Sequence, residues 1–324
     1  MQFAFAYAPP LMIEAGVRHG LFDALANGAR NLEELTKESG CSGRGVRILL
    51  DALVALELLV KMGPATYGLT PESEAFLVSG RPSFQGGLFR HVSGQLLPPW
   101  LELSEVVRTG RPATAINREG PGASFFLQFV NDIYPLSAPA ASSLAEHLVV
   151  AEAGPFSVLD LACGSGVWGI TLAQASPQVR VTAVDWEGVL PLARANAERL
   201  GLADRFSWVA ADLLEAPLGS GHRIATLGHI VHSEGEERSR ALFPRLFGAL
   251  APGGTLAIAE WLRNDEHTGS AAAAIFAVNM LVNTEAGDTY SFAELRSWLE
   301  AAGFRDVRTL EAPGPSPLVL ATRP

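Results

Sequence analysis

The chain has 324 residues, 48% of them apolar and 18% charged, enough to bury a sizeable core in two domains of ordinary size. A net charge of −10 argues against nucleic acid and anionic membrane surfaces as partners. The two cysteines, Cys41 and Cys163, offer neither a disulfide framework nor a metal-ligand cluster, so no metal is expected and a reducing cytoplasm suits the thiols.

Residues 1–10 are apolar but lack a basic region and are broken by prolines, so they do not read as a signal peptide. Leu11, Met12, Ala15, Val17 and Leu21 fall at helical spacing. Asn31 followed by Glu34 predicts a capping box. A helix over 33–38, a turn at 39–42 and a helix from Arg44 then form a helix-turn-helix. The segments 60–62 and 67–70, around Gly63-Pro64, predict the hairpin of a winged helix spanning residues 1–100. That region holds eight Lys and Arg against nine Asp and Glu, with no basic recognition helix, so it is not expected to read DNA.

Residues 101–153 are expected to be a helical connector and pocket wall, with helices around 125–134 and 139–149. From Gly154-Pro155 onward, apolar runs at 156–161, 179–184, 206–210, 223–227 and 255–260 alternate with helical segments. A closing β-pair at 307–310 and 318–322 completes a Rossmann-like α/β domain over 154–324, a mostly parallel seven-stranded sheet. The weakly charged run 268–284 contains Asn279 and Asn283, is short for a membrane span, and reads as a buried helix.

The segment from Val158 to Gly169, VLDLACGSGVWG, places an acidic strand end, a glycine turn and a helix start in succession. Its Gly164-x-Gly166-x-x-Gly169 spacing also matches the dinucleotide fingerprint, so alone it does not choose between a nicotinamide and another adenosine ligand. Asp185 ends the next apolar run, where a carboxylate can accept both hydroxyls of a ribose. Asp212 ends a third run, where a carboxylate can accept from an adenine amino group. Asp160, beside the glycine turn, would gain nothing from a pyrophosphate and favours a methyl donor.

In this order these residues resemble the class I S-adenosylmethionine-dependent methyltransferases. With the winged-helix front, Trp100, Thr109-Gly-Arg-Pro-Ala113, Leu250-Ala-Pro-Gly-Gly254 and Glu294 before Ala302-Gly-Phe304, the whole chain is similar to dimeric small-molecule O-methyltransferases such as those acting on caffeate, hydroxyneurosporene and bacteriochlorophyllide. The resemblance implies S-adenosylmethionine as cofactor, bound by Asp160, Ala162, Gly164 and Gly166, then by Asp185 and Trp186, and finally by Asp212, Leu213 and Gly228. It implies a homodimer built on the front domain. His232 falls at the family's base position and Glu260 at a carboxylate that orients it. Ser233 and Glu234 replace the usual Asp and Trp after the base, and Thr289 stands where a second carboxylate would be.

Methyl transfer is then expected to rest on aligning the acceptor with the donor, worth about 7–11 kcal/mol in well-oriented systems, with His232 removing the acceptor's proton. His229 reads as structural or cofactor-adjacent, and Cys163 as a backbone neighbour of the cofactor. Candidate acceptor-lining residues are Phe126, Phe129 and Tyr134 on one helix, Phe276, Asn279, Met280 and Asn283 on another, and Tyr290. The acceptor reads as a hydroxylated, largely apolar phenolic, polyketide or pigment-like molecule. Methylation at carbon or nitrogen, a cofactor-binding regulator without chemistry, and a nicotinamide oxidoreductase are the competing readings.

Overall fold

The computed structural model describes residues 3–324, apart from the side chain of Gln128. The chain divides into two compact units, Met1–Pro98 and Pro99–Pro324. Among the described residues no helix is long and apolar enough to cross a membrane.

In the first unit the prolines of the opening segment start a helix, Ala8–Arg18, where the missing N–H costs nothing. Asn31 and Glu34 form the expected reciprocal cap of Leu32–Ser39, and Gly40 ends that helix at φ 66°. Ser42 caps Gly43–Ala55, which buries Val46, Leu50 and Leu53. The hairpin follows, β2 (Leu59–Gly63) against β3 (Thr66–Leu69), and a strand not anticipated, β1 (Arg30–Asn31), adds to β3. The core is sealed by Leu21, Phe22, Leu35 and Tyr67, whose hydroxyl donates to Asp51 at 2.8 Å.

The second unit holds the main sheet. Its strands are β4 (Phe156–Leu161), β5 (Val179–Asp185), β6 (Phe206–Ala210), β7 (His222–Gly228) and β8 (Leu250–Ala259). After them come a parallel pair of two-residue strands, β9 (Leu262–Arg263) and β10 (Tyr290–Ser291), then β11 (Arg305–Leu310) and β12 (Leu318–Thr322). The seven-stranded order is β11-β12-β8-β7-β4-β5-β6, with β4 to β8 parallel and β12 alone running antiparallel, between β8 and β11. Helices cover both faces, so alternate residues of one strand enter different cores: Val158 lies among Ile170, Val181 and Ala193, while Leu159 and Leu161 lie with Leu227, Phe243 and Phe304. Strand order reverses between β4 and β7, and the crevice at their carboxyl ends is where an open sheet binds ligand.

Two helix expectations need correcting. The two connector helices lie earlier than expected: the one predicted around 125–134 is Glu119–Phe129, and the one predicted around 139–149 is Tyr134–His147, because Pro135 suits a first turn and starts the second helix there. The helix within 268–284, Ala271–Asn283, is not buried all round: Ile275 is 61% exposed, and Leu281 is exposed as well.

Candidate active site

The glycine turn is built by backbone in the left-handed region, at Ala162 (φ 50°), Gly164 (φ 55°) and Gly166 (φ 77°), the last leading into the helix Val167–Ala175. Only glycine adopts this without strain, so Ala162 marks a position where the fold imposes the turn. Across the crevice His229, just after β7, is strained in the same way at φ 59°.

Asp160 does not open onto this turn. It is 0% exposed, its Oδ2 accepts from the Gly169 N–H at 2.8 Å and its Oδ1 from the Thr226 hydroxyl at 2.7 Å. The direct cofactor contact expected of Asp160 is corrected accordingly: the carboxylate ties β4, β7 and the following helix together beneath the loop. Burial pushes its pKa up to about 7 against those two hydrogen bonds, with Asp185 adding to the rise. Since the folded value lies above the ordinary 3.8, the stabilisation from this group is complete below pH 3.8 and lost as pH rises through about 7. We expect Asp160→Asn to flatten the fall in melting temperature between pH 6 and 8; an unchanged slope, measured by calorimetry, would refute this.

Gly228 and Leu213 both pack closely against neighbouring side chains. A Cβ on Gly228 would lie 2.0 Å from Nε1 of Trp168, a buried indole that the sequence reading missed. The Leu213 side chain is packed into the core with Leu161 and Val184.

Asp185 remains at the crevice. Its Oδ2 accepts from the Gly164 N–H at 2.8 Å and its Oδ1 from the Trp186 N–H at 2.7 Å, which leaves a lone pair on each oxygen. Burial raises its pKa to about 6 in spite of those two donors. The neighbouring Cys163 thiol is buried and pushed well up by burial and by both carboxylates, so it is no nucleophile. Asp212 accepts from the Leu214 N–H at 2.9 Å, and Arg238, another residue sequence reasoning missed, reaches both of its oxygens at 2.9 and 2.7 Å.

A roof lies over this region. A Cβ on Gly122 would stand 2.3 Å from the Trp186 ring, and Phe126 faces the same ring at 6.1 Å. Asn196 bridges Asn131 to the Ser165 carbonyl at 2.9 and 3.0 Å. Phe129 sits within this cluster, 5.2 Å from Phe125. Tyr134 starts the next helix, part-buried opposite Thr171.

His232 lies in the first turn of Val231–Ala249, beside the end of β8. Its Nδ1 is 2.6 Å from Glu260 Oε1, and its N–H donates to Glu260 Oε2 at 3.0 Å. Trp261 N–H adds a bond to Oε1 at 2.8 Å. Glu260 is fully buried, yet the charge and hydrogen bond of His232, helped by His229 and Trp261, outweigh desolvation and hold its carboxyl below the ordinary range. The His232 carbonyl accepts from Asp288 N–H at 2.9 Å. Phe276 stands edge-on to the imidazole at 4.8 Å and stacks on Trp261 at 5.0 Å. His229 donates to or accepts from Ser316 at 3.0 Å, and burial lowers its pKa to about 4, which keeps it neutral.

Beyond Phe276 a polar ladder crosses the Ala271–Asn283 helix. Thr114 donates to Asn283, Asn283 donates to Asn279, and Trp100 Nε1 donates to Asn279 Oδ1 at 2.8 Å. Both polar atoms of Asn283 are used within the protein, whereas the Asn279 amide NH2 has no hydrogen-bond partner among the described residues. Met280 is buried, and Tyr290 packs into the core on Trp298 at 4.8 Å rather than standing free beside His232. Thr289 is also buried and donates to the Ala273 carbonyl, a neutral hydroxyl where the resemblance places a second carboxylate.

The O-methyltransferase domain family matches residues 100–305, and the O-methyltransferase dimerisation domain matches residues 1–79. The chain belongs to the O-methyltransferase family. It is similar to the 3-hydroxy-5-methyl-1-naphthoate 3-O-methyltransferase of Streptomyces sahachiroi, at 32% identity over 94% of this chain and 88% of that protein. It is also similar to the tetracenomycin polyketide synthesis 8-O-methyl transferase of Streptomyces glaucescens, at 30% identity over all of this chain and 96% of that protein. The human N-acetylserotonin methyltransferase, solved in complex with S-adenosylmethionine, shares the fold with a TM-score of 0.86 at 21% identity, over 99% of this chain and 96% of that one. This O-methyltransferase is therefore an S-adenosylmethionine-dependent enzyme acting on small molecules.

Proposed function

We propose that this enzyme methylates a hydroxyl of a flat, largely apolar aromatic acceptor of phenolic or polyketide type, with His232 as general base. The carrying observation is the buried His232–Glu260 pair at 2.6 Å. Because Glu260 is held ionised, it accepts from Nδ1, so the lone pair of the neutral imidazole lies on Nε2. Nε2 has no hydrogen-bond partner among the described residues, which leaves it available to an acceptor hydroxyl.

The crevice fits S-adenosylmethionine: Asp185 keeps one lone pair per oxygen for a ribose diol, and the left-handed turn from Ala162 to Gly166 brings backbone within reach of a ligand. Trp186 would cover the adenosine, Asp212 would meet its amino end, and Asp160 would act only through the loop it braces. When bound, this cofactor supplies a methyl group already activated on a sulfonium.

The chain's own part is orientation and proton removal. The stacked Phe276 and Trp261 rings offer a flat wall for an aromatic acceptor, with the His232 imidazole perpendicular to Phe276 at 4.8 Å. Asn279, its Oδ1 already taken by Trp100 and Asn283, turns an NH2 donor outward for a carbonyl or second hydroxyl of the acceptor. As the hydroxyl loses its proton to Nε2, Glu260 stabilises the imidazolium that forms. The polyketide and naphthoate substrates of the two Streptomyces relatives support this acceptor class.

The decisive test supplies S-adenosylmethionine carrying a deuterated methyl group and hydroxynaphthoate acceptors, then locates the label by mass spectrometry and NMR. A labelled methoxy group is expected; label on carbon or nitrogen would overturn the oxygen assignment. Cofactor affinity should fall as pH drops through about 6, because protonated Asp185 no longer offers both oxygens to the ribose. Calorimetric titration with S-adenosylhomocysteine at pH 5 and 8 checks this, and equal affinities would exclude Asp185 from the site.

The enzyme also works as a homodimer in this reading. Phe3, 94% exposed, Met62, 68% exposed, and the exposed Phe5 and Tyr7 give the front unit apolar surface to cover. Light scattering on the full chain should return twice the chain mass.

A further inference from the structure

The turn that carries His232 is cut off from the helix that follows it. Gly235 sits at φ 80°, ψ 171°, a conformation open to glycine, so the Val231–Ala249 helix is broken after its first turn. A Cβ on Gly235 would also meet the Ala286 carbonyl at 2.6 Å. Helical hydrogen bonding therefore does not by itself align His232 with the rest of the helix.

Arg238 spans that break. Its Nε donates to Glu234 Oε2 at 2.6 Å, and Glu234 is a buried carboxylate two residues past His232. The same guanidinium reaches across to the end of β6, where one terminal nitrogen contacts both oxygens of Asp212. Burial raises the Glu234 carboxyl and Arg238 opposes the rise, so this is not the solvated i,i+4 pair that decorates a helix surface. Arginine suits the task because its planar fork can serve two carboxylates in different directions at once, which an ammonium on a flexible stem does poorly.

We propose that Arg238 is a positioning residue that sets, through one guanidinium, both the carboxylate meeting the cofactor's adenine end and the turn presenting His232. The proposal rests on the reading of Asp212 and His232 given above. Cofactor binding at Asp212 and the placement of the base are then parts of one ion-paired chain, Asp212–Arg238–Glu234.

The test uses the full-length enzyme and two readouts that need no acceptor: the S-adenosylhomocysteine dissociation constant by calorimetry, and the His232 imidazole nitrogen signals at fixed pH, assigned with His232→Gln. Arg238→Gln is expected to weaken S-adenosylhomocysteine about tenfold, on the scale of a lost charged hydrogen bond, and to move the His232 signals beyond their line width in the free enzyme. Glu234→Gln should move the His232 signals alone, and Asp212→Asn the dissociation constant alone. Should Arg238→Gln melt below the assay temperature, Arg238→Lys replaces it: one ammonium holds one carboxylate, so one readout stays and the other moves. Both readouts unmoved in a folded Arg238 variant overturns the proposal. If Asp212→Asn binds normally while Arg238→Gln still displaces His232, the adenine role of Asp212 falls and the positioning of the base stands.

Discussion

His232→Ala should lower kcat about a hundredfold to ten-thousandfold, the range over which a positioned general base contributes, while S-adenosylhomocysteine binds as before. The reason for so large an effect is that the two nearest alternatives, His229 and Thr289, are poor substitutes. His229 is held neutral by burial, with its pKa lowered to about 4, and its ring is already tied to Ser316. Thr289 is a hydroxyl bound to a carbonyl where a second carboxylate would otherwise stand. Glu260→Gln should lose activity as well, for a different reason. The carboxylate accepts from three donors, Nδ1 and N–H of His232 and the N–H of Trp261, so an amide placed there must turn its NH2 toward a donor whichever way it lies. Turnover of His232→Ala within threefold of the parent enzyme would mean that alignment alone carries the reaction and that His232 is not the base.

How far this site was readable before the structure depends on what kind of signal each residue leaves. Asp185 was legible because it ends an apolar run beside a glycine turn, and backbone donors from Gly164 and Trp186 do meet it there. The seven strands were legible for the same reason: continuous apolar runs bounded by turn residues mark strands buried on both faces. That same double burial hid the orientation of Asp160, since period-two alternation does not separate crevice from core when both faces are covered. Tyr290 was misplaced likewise, as its side chain packs into the core beside Trp298. Arg238 and Trp168 left no signal at all. Each acts on a partner far along the chain, Asp212 or Gly228, and only the packing of β6 and β7 against the neighbouring helices brings them together. The break between the connector helices was expected at 135–138 and falls at 130–133, since Pro135 begins the second helix.

Gly228→Ala should be the most damaging single methyl group that can be added to the sheet. The new Cβ would stand 2.0 Å from Trp168 Nε1 and 2.6 Å from its Cδ1, far inside van der Waals contact. Relief by moving the indole is blocked, because Trp168 is wedged among Ala140, Leu144, Ala257 and Leu320, all buried. Overpacking of this kind costs about 1–3 kcal/mol, at times more, which for a unit of this size lowers the melting temperature by about 5–10 °C. Cofactor binding should weaken only as a consequence of that strain, since the glycine exists to admit the indole. A double-mutant cycle separates the clash from a ligand contact. Trp168→Phe alone leaves a small void and costs stability, yet in the Gly228→Ala background it removes the colliding atoms. The pair should therefore be less destabilised than the two changes summed, by about 1 kcal/mol or more. Additive melting data, combined with a selective loss of S-adenosylhomocysteine affinity in Gly228→Ala, would return Gly228 to the cofactor and remove Trp168 from the explanation.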